Sequence, residues 1–234
     1  MYRSLDSAKI IETARLLSSR IAERFPGSSL SKVAEELHSE ARTAADTSLW
    51  LAKPLMWTRV LAIVSIVLMV AIAAGAFFVL NRRVELFSSV SDFLQGLDAA
   101  VNELILLGVA IYFLVGLESR IKRNRALKAI HVLRSMSHII DMHQLTKDPE
   151  RLSGTPQDTP SSPQRRMTPF ELTRYLDYCS EMLAVISKIA ALYVQNFSDP
   201  VTLSAVDEVQ DLTSGLSQKI WQKIMILDRV TSPR

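Results

Sequence analysis

One cysteine in 234 residues excludes both a disulfide framework and a cysteine-based zinc site. Cys179 lies on an apolar helical face, which suits a buried structural thiol rather than a nucleophile, and a lone thiol suits a reducing cytoplasm. Glycine is scarce too, with seven in the chain, and none builds a phosphate-cradling loop. Neither G-x-x-x-x-G-K-[ST] nor G-x-G-x-x-G occurs. H-E-x-x-H, G-x-S-x-G and the kinase signatures are missing, as is the T-V-G-Y-G filter of potassium channels. No basic patch is interleaved with aromatics, so the net charge of +3 does not point to nucleic acid. No cofactor is expected.

Residues 60–80 lack charge altogether. They read VLAIVSIVLMVAIAAGAFFVL, fenced by Arg59 and by Arg82 and Arg83. As a helix such a run is about 31 Å long, the thickness of a bilayer's hydrocarbon core. A second apolar stretch, residues 99–117, is interrupted by Glu103. Its charge-free part, LILLGVAIYFLVGL, is apolar all round, as lipid on every side demands. Glu103 falls about one turn inside the interface, within reach of headgroups. Neither span contains proline, and Ala71, Gly75, Gly108 and Gly116 suit close helix packing.

The flanking charges predict orientation. Lys53 and Arg59 precede the first span, and Arg120, Lys122, Arg123, Arg125 and Lys128 follow the second. The connection carries only Arg82 and Arg83 as cations, beside Glu85, Asp92 and Asp98. This excess places both termini in the cytoplasm, in a bacterial inner membrane. The first 50 or so residues lack an apolar signal core, so the first span is expected to act as an uncleaved insertion signal. Trp50 and Trp57 bracket the entrance to that span. With Arg59, Arg82, Arg83, Arg120, Lys122 and Arg123 they are the expected membrane anchors, in contact with the bilayer and its anionic headgroups.

The remainder reads as helices. Residues 1–53 form a predicted cytoplasmic hairpin. Ile10, Ala14, Leu17 and Ile21 line one face, and Leu30, Val33, Leu37, Ala41, Ala44, Ser48 and Leu51 line the next, across a Phe25-Pro26-Gly27 break. The expected transmembrane helices are residues 54–81 and 99–118, joined by a short external loop over 82–98. A juxtamembrane helix follows over 119–146. Residues 147–167, rich in Pro, Ser and Thr, read as a flexible linker with three Ser/Thr-Pro pairs, a fourth following at Thr168-Pro169. A capping box at Thr168 and Glu171 then opens a C-terminal hairpin over 168–234. Its first helix carries Leu172, Tyr175, Leu176, Cys179, Met182, Leu183, Ile186, Ile189, Ala190 and Tyr193 on one broad face. Its second carries Val206, Val209, Leu216, Ile220, Ile224 and Leu227. Such wide stripes need a further partner: the N-terminal hairpin, the juxtamembrane helix or a second copy. The expected class is therefore all-α, two transmembrane helices plus a cytoplasmic helical bundle of hairpins.

One polar constellation stands out. His131, Arg134, His138 and Asp141 fall within about 80° of arc on the juxtamembrane helix. His131, His138 and Asp141 are the candidate metal ligands, and Arg134 is the candidate anion-binding residue. No second cluster of His or carboxylate completes a coordination shell, so a structural polar face is the expectation. The stretch HVLRSMSHIIDMHQLTKDP at 131–149, with YLDYCS at 175–180 and TSGLSQKIWQKI at 213–224, resembles a family of uncharacterised bacterial two-span inner-membrane proteins. The resemblance covers the chain from about Arg120 onward and implies cellular context without catalysis. The expected function is non-enzymatic: a membrane-anchored scaffold or protein-interaction module, self-associating through its hairpins and binding an unidentified protein partner. An oligomeric channel or membrane effector, and a metal-dependent enzyme using the stripe, are the alternatives.

Overall fold

A computed structural model describes residues 4–83, 90–147, 149 and 167–231. Six helices account for nearly all of them: α1 (Ser7–Arg24), α2 (Ser29–Ala52), α3 (Met56–Arg83), α4 (Val90–Leu145), α5 (Pro169–Gln195) and α6 (Pro200–Thr231). No strand occurs among the described residues, so the all-α class is observed. The chain forms two compact units. One combines Met1–Ala52 with Arg123–Arg234, and the other is Lys53–Lys122.

The first unit is a helical bundle. Asp6 opens α1 by accepting hydrogen bonds from the Ala8 and Lys9 amides at 3.0 and 3.3 Å. This satisfies two of the donors that a helix start leaves unpaired. Gly27, at φ 70°, supplies the left-handed backbone that turns the chain into α2. At α5 the capping box is complete: Thr168 Oγ1 accepts from the Glu171 amide, and Glu171 Oε2 accepts from the Thr168 amide. Asp199 opens α6 by accepting from the Thr202 amide at 2.9 Å.

All the positions expected to line α1, α2 and α5 are buried, and of those on α6 only Ile224 is partly covered. Tyr178, Val185 and Leu192 widen the α5 stripe, because that helix packs against α1 and α2 as well as α6. Ala126, Ile130, Leu133, Met136 and Ile140 of α4 join the same core. The apolar faces of the C-terminal hairpin are thus covered within the chain, by both candidate internal partners. Phe25 closes one end edge-on against Tyr175, and Ser48 Oγ donates to the Leu192 carbonyl at 2.8 Å near the other.

The second unit holds α3 and the N-terminal part of α4. Two helical stretches, within Ser29–Gly75 and Leu94–Leu145, are long and apolar enough to cross a membrane, and almost none of either is buried. That exposure separates them from the core helix of a soluble protein. Most of the better-covered residues form one stripe on each helix: Thr58, Ala62, Ser65, Ile66, Met69 and Ala73 on α3, and Leu107, Ala110, Ile111, Leu114, Leu117 and Ile121 on α4, with Gly116 partly covered on the other side of α4.

The expected external loop differs at both ends. α3 runs to Arg83, and α4 begins at Val90, so residues 90–98 are helical. Their polar composition suggested a loop, yet Val90, Leu94, Leu97 and Val101 recur at helical spacing. Residues 84–89 of that loop, and linker residues 148 and 150–166, lie outside the described residues. α4 continues without a break to Leu145, one residue short of the expected end of the juxtamembrane helix.

Candidate functional site

Glu118 organises the base of the two apolar helices. It follows Leu117 at the end of the second apolar stretch, and its side chain is 16% exposed. Oε2 accepts from Arg59 Nε at 2.9 Å, and Oε1 pairs with Lys122 Nζ at 2.9 Å. Oε1 also accepts from the Leu55 amide at 3.2 Å, just before α3 begins. The Leu55 carbonyl accepts from Thr58 Oγ1 at 2.7 Å. One carboxylate thus fastens the start of α3 to α4 through Arg59 and a backbone donor, while Lys122, one turn along α4, adds a second cation to a charge-assisted arrangement stronger than neutral pairs.

The expected membrane anchors therefore divide. Arg59 and Lys122 are engaged with Glu118, and Lys122 is only 7% exposed, so it is not a free headgroup contact. Arg123 binds Asp199 with Nη2 at 2.6 Å and Nε at 3.0 Å, tying α4 to the start of α6. Trp50 is half-buried against the bundle core, with the Arg125 guanidinium 4.3 Å over its ring. Arg59, Lys122, Arg123 and Trp50 thus each make contacts within the chain, and the Arg59 side chain is 57% exposed. Counting cations and indoles along a sequence does not show which acid or core each one meets, and Glu118 and Asp199 were missed for that reason. Arg120 lies 4.5 Å over the Phe113 ring, and Trp57 is exposed. Arg82 and Arg83 end α3, and their side chains lie outside the description.

The polar stripe is largely solvent-facing. His131, Arg134 and His138 are exposed and Asp141 is partly covered. Arg134 Nη1 pairs with Glu208 Oε2 of α6 at 3.1 Å, both about half exposed. Asp141 Oδ1 accepts from Gln144 Nε2 at 2.6 Å. Among the described residues no three His, Cys, Asp or Glu side chains gather to hold a metal. Cys179 is buried in the core, and burial pushes its thiol up to about 12, so it is no nucleophile near neutral pH.

No family model, curated protein or solved structure matches this chain.

Two further features carry charge. His143, partly covered, places Nδ1 3.5 Å from Ser29 Oγ, and burial, then the nearby Lys147 charge, hold its pKa down. A surface cleft of about 610 Å³ lies between α1 and the start of α5, lined by Arg20, Arg24, Arg174, Glu171 and Tyr178 among others. Its arginines are already engaged: Arg20 with Glu181, Arg174 with Asp177, and Arg24 over the Phe170 ring.

Proposed function

We propose that this chain is a membrane-anchored scaffold, with α3 and the apolar part of α4 spanning a bacterial inner membrane and both termini in the cytoplasm. One contrast carries the reading. The bundle helices bury their apolar faces in one continuous core, whereas α3 leaves Val60, Ile63, Val64, Val67, Leu68 and Ile72 half or more exposed. Exposed apolar helices of this length suit hydrocarbon and not water. The scaffold role rests on a bundle that presents exposed helical surface, with Leu16, Leu49, Val132, Ile139, Leu203 and Trp221 among its exposed apolar side chains. The cation excess outside the spans supports the orientation, and the two-span inner-membrane family that residues 131–149 resemble fits the same setting.

The test has two parts. Reporter fusions at Met1 and Arg234 should be active only as cytoplasmic reporters, and the chain should stay in the membrane pellet after an alkaline carbonate wash. A periplasmic signal from either end rejects the orientation, and release into the supernatant rejects the spans. Crosslinking and pulldown from native membranes should recover a protein bound through the bundle. A chain recovered alone under those conditions counts against a scaffold.

A further inference from the structure

We infer that Arg120, laid back over Gly116 and Phe113, binds the phosphate of an anionic phospholipid. The inference rests on the membrane-spanning reading above and adds one ligand and its site. The second apolar stretch ends at Leu117. Arg120 follows about 4–5 Å further along the helix, inside a headgroup layer about 5–7 Å deep. Helix side chains lean toward the N-terminus of their helix, so Arg120 leans back toward the hydrocarbon. Gly116, one turn earlier, puts no side chain in its way: a Cβ built there would lie 3.7 Å from Arg120 Nε. One turn further back the guanidinium lies over the Phe113 ring, 4.5 Å from its centroid. The three residues share about 60° of arc, on the side of α4 away from Leu107, Ala110, Ile111 and Leu114.

This guanidinium lacks an anion. Among the described residues it neither pairs with a carboxylate nor donates a hydrogen bond; its contact is the Phe113 ring. The cations around it differ. Arg59 and Lys122 share Glu118, and Arg123 holds Asp199. A ring supplies no oxygen, so the N–H donors of Arg120 are left for an acceptor. Their planar fork fits phosphate oxygens in pairs. An uncompensated charge at the edge of hydrocarbon is costly, and phospholipid phosphates are the anions found at that depth. The same face continues into the bilayer with Val109 and Phe113 about half exposed, an apolar track for the acyl chains of the lipid whose phosphate Arg120 holds.

Charge selects among headgroups. Residues 119–140 contain no Asp or Glu, yet Arg120, Lys122, Arg123, Arg125, Lys128 and Arg134 all fall within them. A zwitterionic headgroup brings an ammonium beside its phosphate. Here that ammonium would meet like charge, with no acid in this run of α4 to receive it. Glu118, just before the run, is already committed to Arg59, Lys122 and the Leu55 amide. A headgroup that carries only negative charge, such as phosphatidylglycerol, meets no such repulsion.

Native mass spectrometry of the full chain tests this, on protein extracted in detergent from membranes that have passed the alkaline carbonate wash. Phosphatidylglycerol and phosphatidylcholine are added in equal amounts. The native chain should retain phosphatidylglycerol in preference. Arg120→Gln should lower that retention about tenfold or more, the loss expected for a charged hydrogen-bonded contact. Arg120→Lys keeps the charge without the fork and should restore only part of it. Gly116→Leu keeps every charge but fills the shelf, and should also weaken retention. Lys53→Gln and Lys128→Gln, which remove the same charge elsewhere, should change it far less. Circular dichroism should show the same helix content throughout. Equal retention of the two lipids, or retention unchanged in Arg120→Gln, overturns the site. An equal loss in Lys53→Gln and Lys128→Gln overturns it too, because the attraction would then be diffuse. Glycerol phosphate binding as tightly as the lipid overturns the lipid as occupant. Release of the protein by the wash overturns the membrane reading itself and the site with it.

Discussion

At Asp199 one carboxylate accepts from the Arg123 guanidinium at 2.6 Å and from the Thr202 amide at 2.9 Å. Burial pushes its pKa up, but the Arg123 hydrogen bond and the two Thr202 hydrogen bonds outweigh burial and hold it below the usual carboxylate value. Helix capping and ion pairing thus meet in a side chain that is 6% exposed, while its arginine remains 37% exposed. Asp199→Ala removes a cap and orphans buried donors, and should cost about 2–3 kcal/mol of bundle stability. Asp199→Asn keeps a capping oxygen and should cost less. Arg123→Lys keeps the charge but loses the planar fork, so it should also destabilise, by less than Asp199→Ala. Denaturant unfolding in detergent measures the three. Equal losses for Asp199→Ala and Asp199→Asn would show that the charge matters and the cap does not.

The helix α5 shows which features a sequence discloses. Its start follows from Thr168, Pro169 and Glu171 alone, because a capping box is a contact within four residues. Its buried stripe follows from 3.6-residue periodicity, again a local signal. Thr168→Ala should cost about 1 kcal/mol, and Ile186→Ala, at a fully buried position, about 2–5 kcal/mol. A calorimetric or denaturant comparison that reversed this order would contradict the packing. What stayed hidden was tertiary. That α5 would be covered by α1 and α2 on one side and α6 on another depends on how distant segments fold back, and so do the partners of Lys122, Arg123 and Trp50. The helical start of α4 was hidden for a different reason: Ser91, Asp92, Gln95 and Asp98 mask an apolar spacing that is present. The polar stripe was legible as a face, but not as one in which Arg134 is already paired with Glu208.

Across the whole bundle, two histidines set the response to acid. Burial, then Arg42 and Arg15, lower the pKa of His38, and Glu12 opposes them only in part. His38 Nε2 is buried without a hydrogen-bond partner among the described residues, so a proton placed there would gain a charge and no acceptor. His143 is lowered by burial and by Lys147. Both rings therefore bind a proton more weakly in the folded chain than in the unfolded one, whose ordinary value is about 6.5. Their contribution is fully present above that value and is lost as pH falls below it, through the depressed folded-state values. Glu40 acts in the opposite direction: burial, then Glu36, raise its pKa, so the folded state holds that proton more readily and gains as pH falls. That gain sets in as pH falls through the raised folded-state value towards the ordinary 4.5. The thermal midpoint of the full chain in detergent should therefore drop by a few degrees between about pH 7.5 and 5.5. A His38→Gln, His143→Gln chain should lose most of that drop, because neither position then titrates. A midpoint that stays flat or rises over the interval in the native chain would mean that the two rings are not held neutral by the fold.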